Sequence, residues 1–506
     1  MAKRRGWIRL AAAALALAAA VTAVVLLVTR QEPPAADPPG ETLLAASQGL
    51  DDVTIDAVFN PSNRTVTVDQ TMTLTNRTGV TQRLVVLRTY ANAFRSEETS
   101  PAATEEFYDD CYPDGFSRGD LTFSAVKLQM PGAEAAGANY SYGDDAHTVL
   151  RVSLPSDLET GATLTLRVAY TLLVPEAAYR YGVSGGIWSL GNAFVIPSPF
   201  LDGQYRTDDY YSIGDPFVSE CRNYTVRVTA PEDYTVAGSG ASVREAAGDG
   251  WTVTSFSAPA VRDFALCLST GYRVAQARQD GVLVQAYALK ASDARTMLAT
   301  ALKALACYDR RYGQYPYPCF SLCESGFCFS GMEYPALVMI GSGRLQTGGD
   351  ALAQTVAHET AHQWWYAVVG NDEYNQAWQD EALCQFSLLD YWETTYGANA
   401  RAELQYSLID TAMLVTVPQG VTPGSPVDYF GDMSEYSLVV YQRGAAALCA
   451  LDTAMQGGLD GFLADYYDTF AFRLATREDF ETLLKTYTGE DWSPLLTDYL
   501  DTYIVN

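Results

Sequence analysis

Two of the three histidines in the sequence stand four residues apart, in His358-Glu359-Thr360-Ala361-His362. Four residues make about one turn of an α-helix, so both imidazoles would project from one face and could bind one zinc ion through nitrogen. Glu359 lies beside them and could take a proton from a water molecule at such a metal, which would also polarise a carbonyl. Because the motif also occurs by chance on surface helices, the prediction depends on a third ligand.

Glu381 is a candidate for that third ligand. Eighteen residues separate it from His362, and it begins a second predicted helix after a turn that could bring it back towards the histidines. Three protein ligands and one free position are typical of catalytic zinc sites. The sequence therefore predicts one zinc ion per chain, bound by His358, His362 and Glu381, with Glu359 as the general base that activates water.

The elements that must position these residues fall into two segments with different periods. From Val53 to Phe59 apolar and polar residues alternate, and the alternation resumes beyond a turn at residues 60–63, which predicts a hairpin of half-buried strands. The same period of two recurs as far as about residue 270. The sequence therefore predicts an N-terminal β-sandwich over residues 46–270.

Beyond residue 289 the apolar residues follow a helical period. Ser292 is a candidate N-cap and Gly313 a candidate helix stop. Further helical patterns cover residues 350–369 and 377–396 and continue from 434 onwards, with strand-like stretches before them. The fold class predicted is α+β and multidomain, with a mostly helical domain over residues 271–506 that carries the metal motif.

The first thirty residues have the composition of a membrane segment. Basic residues precede an apolar run of nineteen residues from Leu10 to Val28. A cleaved signal usually has an apolar region of about 7–15 residues, whereas a spanning helix needs about 20. The pattern predicts a cytoplasmic basic segment and membrane anchor at 1–30, a proline-rich linker at 31–45, and catalytic domains outside the cytoplasm, held by a single N-terminal helix.

Charge and cysteine content limit the function classes further. The formal net charge is −27, which excludes nucleic acid as a partner because its phosphates would be repelled. Nine cysteines are scattered from Cys111 to Cys449, without the pattern of a small disulfide-rich domain. Cys319, Cys323 and Cys328 could hold one local bridge, and the cysteine pairing stays open.

The metal motif and its surroundings resemble a known family. The pattern of two histidines, eighteen residues and a glutamate, with Gln363-Trp364 and Trp378 around it, resembles the gluzincin zinc aminopeptidases of the aminopeptidase N and leukotriene hydrolase type. The resemblance implies a saddle-like N-terminal β domain and a thermolysin-like catalytic domain. It also implies peptide substrates with a free N-terminus. Large members of the family carry a further helical domain, so a more open cleft is expected here.

Two further segments carry the resemblance. Residues 330–334, Ser-Gly-Met-Glu-Tyr, resemble the family's Gly-Ala-Met-Glu-Asn strand, which implies that Gly331, Met332 and Glu333 contact the substrate and that Glu333 binds its α-amine. Residues 440–445, Val-Tyr-Gln-Arg-Gly-Ala, resemble the family's Tyr-x-Lys-Gly segment, which implies that Tyr441 stabilises the tetrahedral intermediate, with Tyr436 as a competitor. Three of the five strand residues differ from the family, so the pocket beside the amine is expected to differ in shape.

Two alternatives to an aminopeptidase remain open from the sequence. One is a zinc endopeptidase, or a hydrolase of another amide, that uses the same metal site without an amine anchor. The other is a catalytically silent, membrane-tethered binding protein, which would be expected to lack a ligand or Glu359.

Overall fold

Strands dominate the first half of the chain in the computed structural model, which describes residues 40–417 and 420–502. Up to residue 270 the elements are α1 (Glu41–Ser47), β1 (Asp52–Asn60), β2 (Thr65–Thr75), β3 (Gln82–Arg88), a 3-10 turn (Tyr90–Arg95), α2 (Tyr108–Cys111), β4 (Asp120–Gln129), β5 (Ala136–Gly137), β6 (Asn139–Tyr142), β7 (Val149–Leu158), β8 (Thr163–Leu173), β9 (Tyr181–Ser184), β10 (Ile187–Leu190), β11 (Ile196–Pro197), β12 (Phe200–Leu201), β13 (Gln204–Tyr205), β14 (Arg222–Pro231), β15 (Thr235–Gly238), β16 (Ala241–Gly248), β17 (Trp251–Val261) and β18 (Leu266–Ser269).

Most of these strands form three sheets. The largest has eight strands in the order β16-β17-β14-β1-β2-β8-β4-β5, and two four-stranded sheets follow the orders β15-β18-β10-β9 and β11-β3-β7-β6. The predicted hairpin is confirmed as β1 and β2, which pair antiparallel with Val53 opposite Met72. Alternate side chains of β1 are buried, because one face of the sheet packs against the core.

The second half begins with a smaller sheet and continues in helices. Its elements are β19 (Arg273–Gln279), β20 (Val282–Ala288), α3 (Ala291–Tyr312), β21 (Cys319–Ser325), β22 (Gly331–Tyr334), β23 (Leu337–Gly341), α4 (Ser342–Thr347), α5 (Gly349–Ala361), α6 (Trp378–Tyr396), α7 (Ala398–Gln405), a π-helical turn (Tyr406–Asp410), two 3-10 turns (Thr411–Leu414 and Val427–Tyr429), α8 (Met433–Tyr436), a second π-helical turn (Ser437–Arg443), α9 (Gly444–Ala454), α10 (Leu459–Phe470), α11 (Arg477–Thr488) and α12 (Ser493–Leu500).

The sheet of the second half places an edge strand next to the metal motif. Its order is β19-β20-β21-β23-β22, and β22 pairs antiparallel with β23 at one edge. Helix α5, which carries His358 and has His362 as its C-cap, contacts both of these strands. A sheet-rich N-terminal domain is thus followed by a helical C-terminal domain, as the sequence predicted.

Several local predictions require correction. Helix α3 begins at Ala291 with Lys290 at the N-cap, so Ser292 lies inside the helix, whereas the predicted stop at Gly313 is confirmed, with a φ of 126° that favours glycine. Part of the predicted linker is helical, because α1 begins at Glu41 and buries Leu43 in the core. The helix predicted over residues 350–369 ends at Ala361.

The predicted membrane anchoring is also corrected. Across residues 40–417 and 420–502, the structure contains no helix that is both long and apolar enough to cross a bilayer. The apolar run from Leu10 to Val28, on which the prediction rested, lies outside the described residues.

Candidate active site

The three predicted metal ligands come together at the C-terminal end of α5. The Nε2 atoms of His358 and His362 are 3.2 Å apart, and Glu381 Oε2 lies 3.1 Å from the first and 3.4 Å from the second. Ligand atoms arranged tetrahedrally at about 2.1 Å from a zinc ion are roughly 3.4 Å from one another. The donor set of two imidazoles and one carboxylate, with these separations, therefore fits zinc.

The early end of α5 helps to orient His362. Tyr366 has a φ of 127°, which breaks the helical path, and the chain turns back so that Trp365 forms a bridge with Val369. The carbonyl of Trp365 is then free to lie 3.1 Å from Nδ1 of His362. A proton on Nδ1 donated to this carbonyl leaves Nε2 with its lone pair for a metal, which is the usual way in which a ligating histidine is held.

Helix α6 brings Glu381 to the histidines from its first turn. The side chain is buried, with 2% of its surface exposed. Burial alone would raise the pKa of Glu381, but the nearby His362 and hydrogen bonds with both histidines lower it to about 2. The positive charge of a metal ion at this place would likewise favour the ionised form of Glu381. Its second oxygen, Oε1, accepts a hydrogen bond from the phenol of Tyr441, which lies on the π-helical turn Ser437–Arg443.

Glu359 lies on the same helix as the histidines and faces β22. A methyl group added at Gly331 would lie 2.2 Å from Oε1 of Glu359, so only glycine allows this approach. The other carboxylate oxygen, Oε2, is buried and has no hydrogen-bond partner among the described residues. Burial raises the pKa of Glu359 to about 8, opposed by His362 and assisted by Glu381. Burial thus favours the protonated carboxyl, and a cation held by the three ligands would favour the ionised form that can accept a proton.

The strand β22 supplies the remaining predicted substrate residues. Glu333 is 3% exposed, and its Oε1 is likewise without a hydrogen-bond partner in the part of the chain that the structure describes. The pKa of Glu333 lies well above its usual range, mainly because the side chain is buried and secondly because the carboxylate of Asp215 is nearby. A cation placed against Glu333 would relieve this cost, because an opposite charge favours the ionised form. Met332 is buried and its sulfur accepts a hydrogen bond from Arg180 at 3.1 Å.

All eight predicted site residues line one cavity of about 640 Å³. They are His358, Glu359, His362, Glu381, Tyr441, Gly331, Met332 and Glu333. Tyr436, the competitor of Tyr441, is not part of the lining; it packs edge-on against Tyr441, with ring centroids 5.7 Å apart. The geometry therefore favours Tyr441 as the phenol that reaches a substrate.

The cavity residues that come from the N-terminal domain were not identified as site residues from the sequence, and Arg180 and Asp215 are the charged ones among them. Arg180 donates a hydrogen bond to Asp215, and both side chains are buried at the cavity wall. Asp215 lies in the segment Gly214-Asp215-Pro216, whose glycine and proline indicate a turn but no function, and nothing in the sequence marks Arg180. A buried ion pair contributed by the first domain means that the cavity is built by both halves of the chain.

Comparisons with known proteins agree with this geometry. Residues 297–499 match the family model of the Peptidase family M1 domain. Leukotriene A-4 hydrolase from Xenopus laevis is 27% identical over 187 residues, which are 35% of this chain and 29% of that protein. Aminopeptidase N from Lactobacillus helveticus is 25% identical over 252 residues, or 44% of this chain and 28% of that protein. The matched segments thus span less than a third of these relatives.

Solved structures extend the likeness over both domains. The M1 zinc metallopeptidase from Deinococcus radiodurans superposes with a TM-score of 0.64 at 18% identity, covering 90% of this chain and 94% of that one. A two-domain M1 zinc metallopeptidase bound to L-arginine gives a TM-score of 0.66 at 17% identity with the same coverage. The chain therefore has the two-domain fold of the M1 zinc metallopeptidases.

Proposed function

We propose that the chain is a zinc-dependent aminopeptidase, which binds one zinc ion through His358, His362 and Glu381 and removes N-terminal residues from peptides. The observation that carries the proposal is the placement of these ligands, of Glu359 and of the buried Glu333 in the wall of one cavity. The names of the relatives support it, since they include aminopeptidases B and N. One similar solved structure, an M1 zinc metallopeptidase from Deinococcus radiodurans, is bound to a Tyr-Ser-Ala substrate.

The residues of the chain divide the work of peptide hydrolysis. Zinc bound by the three ligands would polarise the peptide carbonyl and lower the pKa of water at the site. Glu359 accepts the proton of the attacking water and can pass it to the leaving amine. Burial raises the pKa of the Tyr441 phenol well above its usual range, so it keeps its proton. The hydroxyl would have to turn from Glu381 Oε1, to which it donates in this structure, in order to donate to the oxyanion as charge develops.

Glu333 sets the type of cleavage in this proposal. A buried carboxylate with an unpartnered oxygen beside the reacting centre is suited to a substrate ammonium, and the pair would fix the scissile bond one residue from the N-terminus. Gly331 and Met332, on the same strand, would line the space around that first residue.

The test compares substrates with free and acetylated N-termini on the purified protein, with and without a zinc chelator. We expect removal of single residues from free termini, no turnover of acetylated peptides, and loss of activity on chelation. Glu333→Ala should lower kcat/KM for substrates with a free amine by roughly 10–150-fold, because a charge-assisted hydrogen bond contributes about 1.5–3 kcal/mol. If the parent cuts acetylated peptides internally as fast as free ones, the zinc endopeptidase alternative replaces this proposal.

A further inference from the structure

Two cysteines that are distant in sequence meet beside the cavity. Cys111, at the end of α2, and Cys328, in the loop between β21 and β22, are separated by 217 positions, and their Sγ atoms lie 3.0 Å apart. A disulfide bond is about 2.05 Å long, so an approach of about 1 Å would join them. Cys111 belongs to the N-terminal domain, and Cys328 belongs to the loop that leads into Gly331.

The surrounding backbone holds the two segments in register. The Cys328 amide donates to the carbonyl of Ala178 at 2.9 Å, and the Ala178 amide donates to the carbonyl of Cys111 at 2.8 Å. On either side, Phe107 and Phe329 pack edge to face with ring centroids 4.8 Å apart. The sulfur atoms are therefore kept close by hydrogen bonds and packing that do not depend on a bond between them.

The two thiols differ in access. Cys111 is fully buried, whereas Cys328 is partly exposed and lines the cavity between Phe327 and Phe329. A small oxidant could reach Cys328 through the cavity, and Cys111 only by way of Cys328. The hydrogen bond with Cys328, together with burial, raises the pKa of Cys111, which keeps it as a thiol until its neighbour has reacted.

We propose that Cys111 and Cys328 are a modification site, at which a small-molecule disulfide introduces a cross-link between the N-terminal domain and the cavity wall. The Cys328 thiolate attacks one sulfur of the small disulfide, and its S–S bond breaks to release one thiolate. Cys111 loses its proton to that thiolate and attacks the Cys328 sulfur, which releases the second thiolate. Two protein thiols are oxidised, and one small disulfide is reduced to two thiols.

A second cysteine pair provides an internal control. Cys267 and Cys323 are both fully buried in the core, and burial followed by a hydrogen bond with Cys267 raises the pKa of Cys323. Neither lines the cavity. The same protein molecule therefore offers one thiol pair within reach of an oxidant and one that is shielded.

The experiment incubates the full chain with oxidised glutathione, alkylates free thiols, and maps the peptides by mass spectrometry. We expect a cross-linked peptide that joins Cys111 to Cys328, while Cys267 and Cys323 are alkylated only after denaturation. The oxidised protein should melt a few °C higher than the reduced one, because the bond closes a long loop in the unfolded chain. Dithiothreitol should reverse both changes.

Variants separate the cross-link from general effects of oxidation. Cys328→Ser should show no cross-link and no shift in melting temperature, and Cys111→Ala should stop at glutathione attached to Cys328. In the parent, oxidation should change KM for peptides reversibly, because Phe327 and Phe329 flank the bonded sulfur and line the cavity. Any of three results in the parent protein treated with oxidised glutathione overturns the proposal. These are a Cys328 that remains fully open to alkylation in the native protein, a Cys328 that keeps a bound glutathione, and a Cys328 that forms a disulfide with another cysteine than Cys111.

Discussion

The side chain of Glu359 has one oxygen, Oε2, without a hydrogen-bond partner among the described residues, and it is available to take the proton from water. Glu359→Gln keeps the shape of the side chain but cannot accept a proton from water. We expect the variant to keep its zinc and to lose about 10²–10⁴-fold in kcat, the usual effect of removing a general base. Zinc content and kcat measured on the same preparation check this, with Glu403→Gln on the exposed face of α7 as the control. Activity within twofold of the parent would remove Glu359 from the mechanism.

We expect the buried carboxyl of Asp263 to make the stability of the protein depend on pH. It is fully buried between the amide of Phe264 and Asn192, and burial raises its pKa from 3.8 to about 7. Between about pH 4 and about pH 7, Asp263 keeps its proton in the folded protein and loses it in the unfolded chain. The free energy of unfolding therefore falls as the pH rises from about 4 to about 7 and then levels off.

Urea unfolding at several pH values tests the role of Asp263. The amide of the Asp263→Asn variant does not titrate. As the pH rises from about 4 to about 7, we therefore expect the free energy of unfolding of the variant to increase relative to that of the parent by about 2–4 kcal/mol. A difference that stays constant with pH would show that Asp263 is ionised in the folded protein.

The residues of the site divide into those that the sequence could reveal and those that it could not. The histidines, Glu359 and Glu381 have a spacing that chemistry requires, so their positions followed from the sequence. Arg180 and Asp215 face the same cavity but come from a domain whose position is set by tertiary packing. A lone arginine in a strand-rich segment has no periodicity or spacing that would indicate its partner.

At the scale of elements, the spacing of apolar residues along the sequence identified most helices and strands, but not the residue at which α5 ends. The residues after His362 are buried although they form a turn. The apolar pattern in the sequence therefore continues to Val369, beyond the end of the helix. Beyond Ala361 the chain forms turns, and a positive φ at Tyr366 turns it back, which no residue type in the sequence indicates. The helix α1 was missed because it has only seven residues, buries only Leu43 and follows a proline-rich stretch.

The approach of β22 to α5 leads to a prediction about Gly331. Alanine at this position would place a methyl group 2.2 Å from Oε1 and 2.5 Å from Cδ of Glu359, so the glutamate must move. We expect Gly331→Ala to fold and bind zinc but to lower kcat by about 10-fold or more, since misplacement by 1 Å can cost 10²-fold. Gly343→Ala, where the added methyl meets nothing within 4 Å, is the matched control. Equal kcat in both variants would contradict the close packing of the strand and the helix.

At the scale of the whole molecule, one buried arginine connects the two domains. Arg262 follows β17 in the N-terminal domain and is 1% exposed. Its guanidinium donates to the carbonyls of Tyr366 at 2.7 Å and Val368 at 3.1 Å, and also to those of Ser219 and Arg473. Gly370 packs on this group so closely that an added methyl would lie 2.2 Å from Cζ. The turn after His362 is therefore held from outside its own domain.

Removing this connection should be costly. Arg262→Ala leaves the buried carbonyls of Tyr366 and Ser219 without their donor, whereas those of Val368 and Arg473 keep one bond each, from the amides of Phe472 and Gly370. An unsatisfied buried group costs about 1–3 kcal/mol, so we expect the free energy of unfolding to fall by about 3–5 kcal/mol. Arg83→Ala, which removes an exposed ion pair with Asp157, should cost less than about 1 kcal/mol. Urea unfolding followed by tryptophan fluorescence measures both, since Trp364 and Trp365 lie in the turn that Arg262 holds. If the two variants unfold at the same midpoint, the buried arginine contributes no more than a surface pair, and the two domains are joined chiefly by their shared apolar core.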